Sequence, residues 1–266
     1  TPGPEFYLLK NQDAVLLDIY NTFIDVRDFF HKYNVGIVTA RDSLTIQDSK
    51  EKLYQTVKKF ISFETETARE MFGLGSDSND WKVAHAQKDL IEFGISNENI
   101  SQILYRPFDL KFTYYTGNAG GFICRPRTDI MQHMLKENIG LCIGRQWSTV
   151  GSANFDIVFI TENIIDFNLF RRGGELLFPM YLAPKEDEAF AEKYYNVDNN
   201  ILKDIGARFF SDGKKDISPE VIFFYIYAVL HSTKYRKKYE EFLKIDFPRI
   251  PIVNNYEVFL QISGFG

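Results

Sequence analysis

The sequence predicts an α+β fold, with a mixed sheet and flanking helices followed by a C-terminal helical segment. Three patterns support this. Apolar residues recur at helical spacing over residues 50–63, which defines one face of an amphipathic helix. Over residues 108–115 every second side chain is apolar, the period of a half-buried strand. Ten consecutive apolar residues then fill positions 221–230, ahead of a second amphipathic helix.

Helices dominate the predicted first half of the chain. Residues 13–23, 50–63 and 80–93 carry apolar positions at helical spacing. A turn flanked by short extended pieces is expected over residues 36–46. The polar, glycine-containing stretch 73–79 predicts a loop between two of the helices.

Strands are predicted in the middle of the chain. The strand at 108–115 is expected to pair across a glycine-rich turn with residues 122–124, followed by a short helix at 128–137. Further strands are predicted at 139–143, 156–160 and 175–182. The simplest partition is an α+β unit over residues 1–184 and a helical segment over 185–266.

The apolar run near the end predicts a buried helix. Ser218, Pro219 and Glu220 form a typical helix start. The run is too short to cross a bilayer, which takes about 20 residues, so neighbouring elements should enclose it, Phe224 included. The next helix carries an apolar stripe, and we expect it to pack against the first. That stripe comprises Tyr235, Tyr239, Phe242 and Leu243.

Composition narrows the class of protein. The 266 residues are 45% apolar and 25% charged, which is ordinary for a soluble globular protein. The net charge of −5 argues against general adhesion to nucleic acid. Residues 104–149 and 231–249 nevertheless each hold six lysines and arginines against three acids. Such stretches indicate either a face that meets DNA or ordinary solvated helix surfaces.

Cellular location follows from cysteine usage and hydropathy. Cys124 and Cys142 are the only cysteines, they are not closely spaced, and no secretory leader is evident. This predicts a reduced, cytoplasmic protein. No segment suits a membrane span, so no membrane partner is expected. The ending at 258–266 reads as a helix cut short, which suggests part of a longer polypeptide.

Five short motifs follow one another along the chain. They are residues 36–42 (Gly-Ile-Val-Thr-Ala-Arg-Asp), 105–111 (Tyr-Arg-Pro-Phe-Asp-Leu-Lys), 125–127 (Arg-Pro-Arg), 145–146 (Arg-Gln) and 178–181 (Phe-Pro-Met-Tyr). Together with the apolar helix they resemble the C-terminal specificity region of type ISP restriction-modification enzymes and related fused adenine-specific DNA methyltransferase-endonucleases. The resemblance covers nearly the whole chain. The chain departs from it at Lys111, where the family usually carries a second arginine.

The resemblance implies a target-recognition domain that binds double-stranded DNA. Methyltransferase and nuclease or translocase modules would lie elsewhere on the same polypeptide. The parent enzyme would then methylate adenine with S-adenosylmethionine and cleave unmodified DNA, with ATP and Mg²⁺ as further candidate cofactors.

Catalytic signatures are missing from the sequence itself. It has no Asn/Asp-Pro-Pro-Tyr/Phe loop of an amino-methyltransferase, no Gly-rich cofactor turn, no P-loop and no metal-nuclease carboxylate arrangement. We therefore expect this chain to be non-catalytic and to hold neither cofactor nor metal. Two alternatives stay open: a catalytic nucleic-acid-processing domain with an unrecognised motif, and a structural interaction module of such an enzyme.

The candidate DNA-binding residues are basic or amide side chains within the motifs. Arginine reads guanine or clamps phosphate, and glutamine reads adenine. Each also has an internal alternative: a surface ion pair for the 125–127 arginines, a buried hydrogen-bonded pair for residues 145–146, and ion pairs with neighbouring aspartates for residues 41 and 106. The candidates are Arg41, Arg106, Lys111, Arg125, Arg127, Arg145 and Gln146.

Overall fold

The computed structural model describes residues 11–144, 155–170, 174–184, 194–210 and 217–266. Within them the predicted α+β class is confirmed. The helices are α1 (Asn11–Asn21), α2 (Asp42–Thr45), α3 (Lys50–Ser62), α4 (Thr65–Met71), α5 (Val83–Phe93), α6 (Thr128–Met131), α7 (Asn199–Phe209), α8 (Pro219–His231), α9 (Thr233–Lys238), α10 (Glu240–Leu243) and α11 (Tyr256–Ser263).

The strands are short and form mainly two mixed or antiparallel sheets. They are β1 (Ile24–Asp25), β2 (Asn34–Val35), β3 (Ile46–Gln47), β4 (Ile100–Arg106), β5 (Asp109–Tyr114), β6 (Gly140–Ile143), β7 (Val158–Thr161), β8 (Ile164–Ile165), β9 (Leu176–Pro179), β10 (Tyr181–Leu182), β11 (Tyr194–Tyr195) and β12 (Arg249–Ile250). Two-stranded ribbons join β1 to β12 and β10 to β11.

The first four-stranded sheet has the order β3-β5-β4-β8. Strands β4 and β5 form an antiparallel hairpin whose pairing shifts by a bulge between Leu104 and Arg106, and β8 pairs with β4 in parallel. The predicted partner of β5 was wrong. Residues 122–124 form no strand, because β4 and β3 occupy the two edges of β5.

Helix α3 covers this sheet with the apolar face that the sequence predicts, and α5 packs against α3. Ser49 begins α3 by accepting a hydrogen bond from the Lys52 N–H at 3.1 Å, which satisfies one free amide of the first turn. Leu53, Val57 and Phe60 then lie fully buried in one cluster with residues of α5 and of β4. The predicted helix at 128–137 is shorter, because a 3₁₀ turn replaces its second half after α6.

The second four-stranded sheet is antiparallel, with the order β2-β9-β6-β7. Residues from this sheet, from α1 and from the C-terminal helices share one hydrophobic cluster. The rings of Phe30 and Phe178 lie 4.9 Å apart, and Phe223 of α8 meets Phe30 edge-on at 6.2 Å. The C-terminal helices thus complete a core that earlier strands begin. The predicted boundary between residues 184 and 185 stays a prediction.

The two C-terminal helices behave largely as predicted. Tyr235, Tyr239, Phe242 and Leu243 are all buried, although α9 ends at Lys238 and the stripe continues in α10. In α8, Phe223 is fully buried but Phe224 is only partly so, and the expectation that every side of α8 is enclosed was wrong. Phe224 lines an open groove beside Tyr181 and Met134. No helix in the described ranges has the length and hydropathy to cross a membrane.

Candidate nucleic-acid interface

Three of the sequence motifs meet in the folded chain. Residue Val38 of the first motif and Arg125 of the third exchange backbone hydrogen bonds of 3.0 and 2.9 Å. Ile37 is bonded in turn to Ile165 of β8, which lies beside the strand β4 that leads into the second motif. A Cβ on Gly36 would lie 2.4 Å from the Asp166 carbonyl carbon, so only glycine permits this close approach.

Asp42 links the first motif to the second. Its carboxylate accepts hydrogen bonds from the Tyr105 hydroxyl at 2.7 Å and from the Thr39 hydroxyl, and it lies 3.9 Å from the Arg106 guanidinium. Burial, together with the bond to Asp42, raises the pKa of Tyr105 to about 12. The phenol is therefore a permanent donor that fixes the start of the second motif.

Arg106 is engaged within the protein. Its Nη1 lies 2.7 Å from Asp166, a carboxylate whose side chain is only 3% exposed. Burial raises the pKa of Asp166 to about 6, against the opposing effects of the Asn168 N–H and of Arg106 itself. The internal ion pair considered for Arg106 thus exists, with Asp166 as its partner. A buried acid depends on this arginine.

Arg41 fastens a loop. Its guanidinium donates to the carbonyl oxygens of Leu74 and Ser76 at 2.9 and 3.0 Å, and lies 5.0 Å from the ring centre of Trp81. These contacts tie the loop predicted at 73–79 to the first motif.

Arg125 and Lys111 sit in ion pairs at the surface. Arg125 pairs with Asp80, and both side chains are more than half exposed. Lys111 pairs with Asp48 and lies 3.4 Å from Asp109. Exposed pairs of this kind contribute roughly 0–1 kcal/mol, so a phosphate can replace the carboxylate at little cost.

Arg127 differs from the other basic candidates. Its backbone is fixed in the left-handed region, with φ of 53°. Its carbonyl accepts the amides of Ile130 and Met131 at 3.0 and 2.9 Å. The buried Nε has no hydrogen-bond partner among the described residues, and Asp129, an acid considered as its partner, accepts from Asn34 instead. Among the candidates in the described part of the chain, Arg127 is thus the one whose side chain makes no hydrogen bond or ion pair.

Backbone strain marks the same three motifs. Among the described residues, three non-glycine residues have positive φ: Ala40 at 65°, Phe108 at 62° and Arg127 at 53°. Each lies in a different motif. Left-handed backbone at a non-glycine residue costs on the order of 1 kcal/mol and tends to occur at functional sites.

Sequence reasoning missed Glu175. This residue is fully buried at the start of β9, and both carboxylate oxygens lack a hydrogen-bond partner among the described residues. Burial raises its pKa to about 7, against the opposing effect of the nearby backbone N–H groups of Glu175 and Phe170, and the charge of Asp166 adds to the rise. An acid directly before the apolar strand 176–178 was the available signal.

Arg145 and Gln146 lie outside the described residues; the preceding strand β6 ends at Ile143.

The described residues group no three His, Cys, Asp or Glu side chains in a way suited to holding a metal ion. What the site offers is cations, hydrogen-bond donors and rigid turns. Cations and hydrogen-bond donors held in this way can bind anions and can hydrogen-bond to polar groups of a ligand.

The chain belongs to the family of Type ISP C-terminal specificity domains, whose model matches residues 28–266. This confirms the resemblance inferred from the motifs. Among curated proteins, none matches the chain significantly.

Solved structures share the fold at low sequence identity. The LlaBIII Type ISP restriction-modification enzyme bound to DNA has a TM-score of 0.65 and 23% identity, over 92% of this chain and 16% of that one. A nuclease-deletion mutant of the Type ISP enzyme LlaGI in complex with a DNA substrate mimic has a TM-score of 0.62 and 20% identity. The match covers 93% of this chain and 23% of that one. The cryo-EM structure of the DrdV–DNA complex has a TM-score of 0.61 and 24% identity, over 89% of this chain and 22% of that one. This chain thus spans under a quarter of each of them.

Proposed function

We propose that this domain binds duplex DNA and recognises a particular base sequence for enzyme modules on the same polypeptide. The observation that carries the proposal is the convergence of three motifs, one of which holds an arginine with an unpartnered side chain, Arg127, on strained backbone. The fold neighbours, which are described as DNA complexes, support it. The recognition domain would act without chemistry of its own.

The basic residues would have different roles in DNA binding. Arg125 and Lys111 exchange their surface carboxylates for DNA phosphates, which positions the duplex. Arg127 reads a base edge, because its guanidinium has no internal partner and can make the bidentate contact that guanine offers. Arg41 and Arg106 are mainly positioning residues, since their guanidinium groups hold the 73–81 loop and Asp166.

The proposal extends to the parent polypeptide. It would methylate adenine using S-adenosylmethionine and cleave unmodified DNA, with ATP and Mg²⁺ serving modules outside this domain. Cys124 and Cys142 are free and buried, which fits a reducing cytoplasm.

A salt titration tests DNA binding directly. Fluorescence anisotropy with a random-sequence duplex should show a steep loss of affinity with salt. The two proposed phosphate contacts predict about a twelvefold loss of affinity for a fourfold rise in salt, because the slope is about −0.9 per contact. Arg125→Ala should reduce the slope by about one contact, whereas Lys58→Ala on α3, outside the motifs, should leave it unchanged.

Other outcomes identify the two rival functions. A well-folded domain whose binding is absent or independent of salt would contradict the proposal and favour a protein-interaction module. Cleavage or methylation of DNA by this domain alone would reveal a catalytic domain instead.

A further inference from the structure

The tip of the β4–β5 hairpin carries an aromatic ring that the fold does not explain. Two residues, Pro107 and Phe108, connect the strands, and Phe108 has φ of 62°. A proline followed by a positive φ is the order of a type II turn, whose second central position favours glycine or asparagine. Phenylalanine there is strained, and its side chain is 89% exposed. Folding alone explains neither a phenylalanine with positive φ nor its exposure to solvent.

The hairpin holds this ring stiffly. Strands β4 and β5 are paired up to the turn at Arg106 and Asp109. The Arg106–Asp166 ion pair anchors the base of the turn. The ring of Phe108 meets Phe159 edge-on at 5.1 Å, and this contact limits its rotation. The result is a preorganised aromatic projection.

We propose that Phe108 is a wedge that stacks on a DNA base or inserts between two base pairs. This inference rests on the proposed function. It adds an aromatic contact with a base to the contacts that the basic side chains make with DNA. The hairpin is continuous with the candidate interface, because Tyr105 and Arg106 meet Asp42 of the first motif. The same hairpin carries Lys111, whose surface carboxylate partner a DNA phosphate can replace. Base–aromatic stacking rewards an exposed, rigid ring, and inserted apolar wedges kink duplexes.

The test compares Phe108→Gly with Phe108→Trp. A duplex is first selected from a random pool for tight binding by the unaltered domain, and 2-aminopurine then replaces each adenine in turn. The unaltered domain should raise 2-aminopurine fluorescence at one step, which reports unstacking. Phe108→Gly should remove that signal and weaken binding about tenfold or more, while leaving the melting temperature unchanged or higher. Phe108→Trp should retain both the signal and the affinity.

The matched control is Phe265→Ala, which removes another ring that is 86% exposed but lies outside the motifs. It should leave affinity and fluorescence unchanged. If the unaltered domain binds no DNA, the proposed function itself fails. If DNA binds normally to Phe108→Gly with the same fluorescence response, the wedge is refuted while the function stands, and the ring would then be a contact for another protein module.

Discussion

Replacing Arg127 by glycine should separate DNA reading from folding. In the wild-type domain the residue is strained at φ of 53° and its buried Nε is unsatisfied. Glycine adopts positive φ freely, which should recover roughly 1 kcal/mol. Removing the desolvated donor should recover about 1–3 kcal/mol more. Loss of the packed aliphatic stem offsets part of this. We therefore expect a free energy of unfolding equal to that of the wild-type domain or higher.

Binding should change in the opposite direction. If Arg127 contacts a base edge, Arg127→Gly should weaken the selected duplex by about 1–3 kcal/mol and barely affect a random duplex. Urea melts give the stability, and anisotropy on the two duplexes gives the binding. Arg106→Ala is the contrasting variant, because it leaves Asp166 buried without its ion-pair partner. It should destabilise the fold by about 1–3 kcal/mol, since the partly exposed guanidinium moderates the loss.

Three results would contradict this reasoning. Marked destabilisation by Arg127→Gly with unchanged DNA binding would make the arginine structural. Equal losses on both duplexes would make it a phosphate contact. Stability of Arg106→Ala equal to that of wild type would show that Asp166 does not depend on the ion pair.

Two further predictions concern stability. The pKa of Glu175 is raised from 4.5 to about 7, so the stability contributed by its buried neutral carboxyl is fully present below pH 4.5 and is lost as pH rises through about 7. Glu175→Gln should remove this slope and stabilise the domain at pH 8 by up to about 3 kcal/mol in urea melts; an unchanged slope would show that the carboxyl finds a partner. Phe223→Ala should cost about 3–5 kcal/mol because the ring is fully buried, whereas Phe224→Ala should cost less than about 2 kcal/mol. Equal costs would refute the exposure assigned to α8.

Local patterns predicted the helices well, and the pairing of strands less well. The buried face of α3 follows from apolar residues three and four apart, which the sequence displays directly. Strand β4 shows no clean alternation, because Ile103 and Leu104 are both buried. Its pairing with β5 was therefore missed, and the partnership was assigned to residues 122–124.

The sequence likewise predicted only part of the candidate site. The motifs identified the arginines as candidates, but not which of them have side chains free of internal partners. The partner of Arg106 lies 60 residues further along the chain, and that of Arg125 lies 45 residues earlier. Ion pairs of such separation depend on the tertiary fold, so the sequence could not show that Arg127 alone among these three lacks a partner.

If the domain recognises DNA as proposed, its internal ion pairs explain how an acidic chain does so without adhering to DNA in general. With a net charge of −5, the domain repels DNA except where its motif cations lie. Before binding, carboxylates already neutralise Arg106, Arg125 and Lys111. A random duplex must displace the two surface pairs and gains little, because each phosphate only replaces a carboxylate. A correct site would gain in addition the proposed base contact of Arg127, which displaces no internal partner. The proposal therefore predicts weak general binding and a large increment at the target from the same charge arrangement.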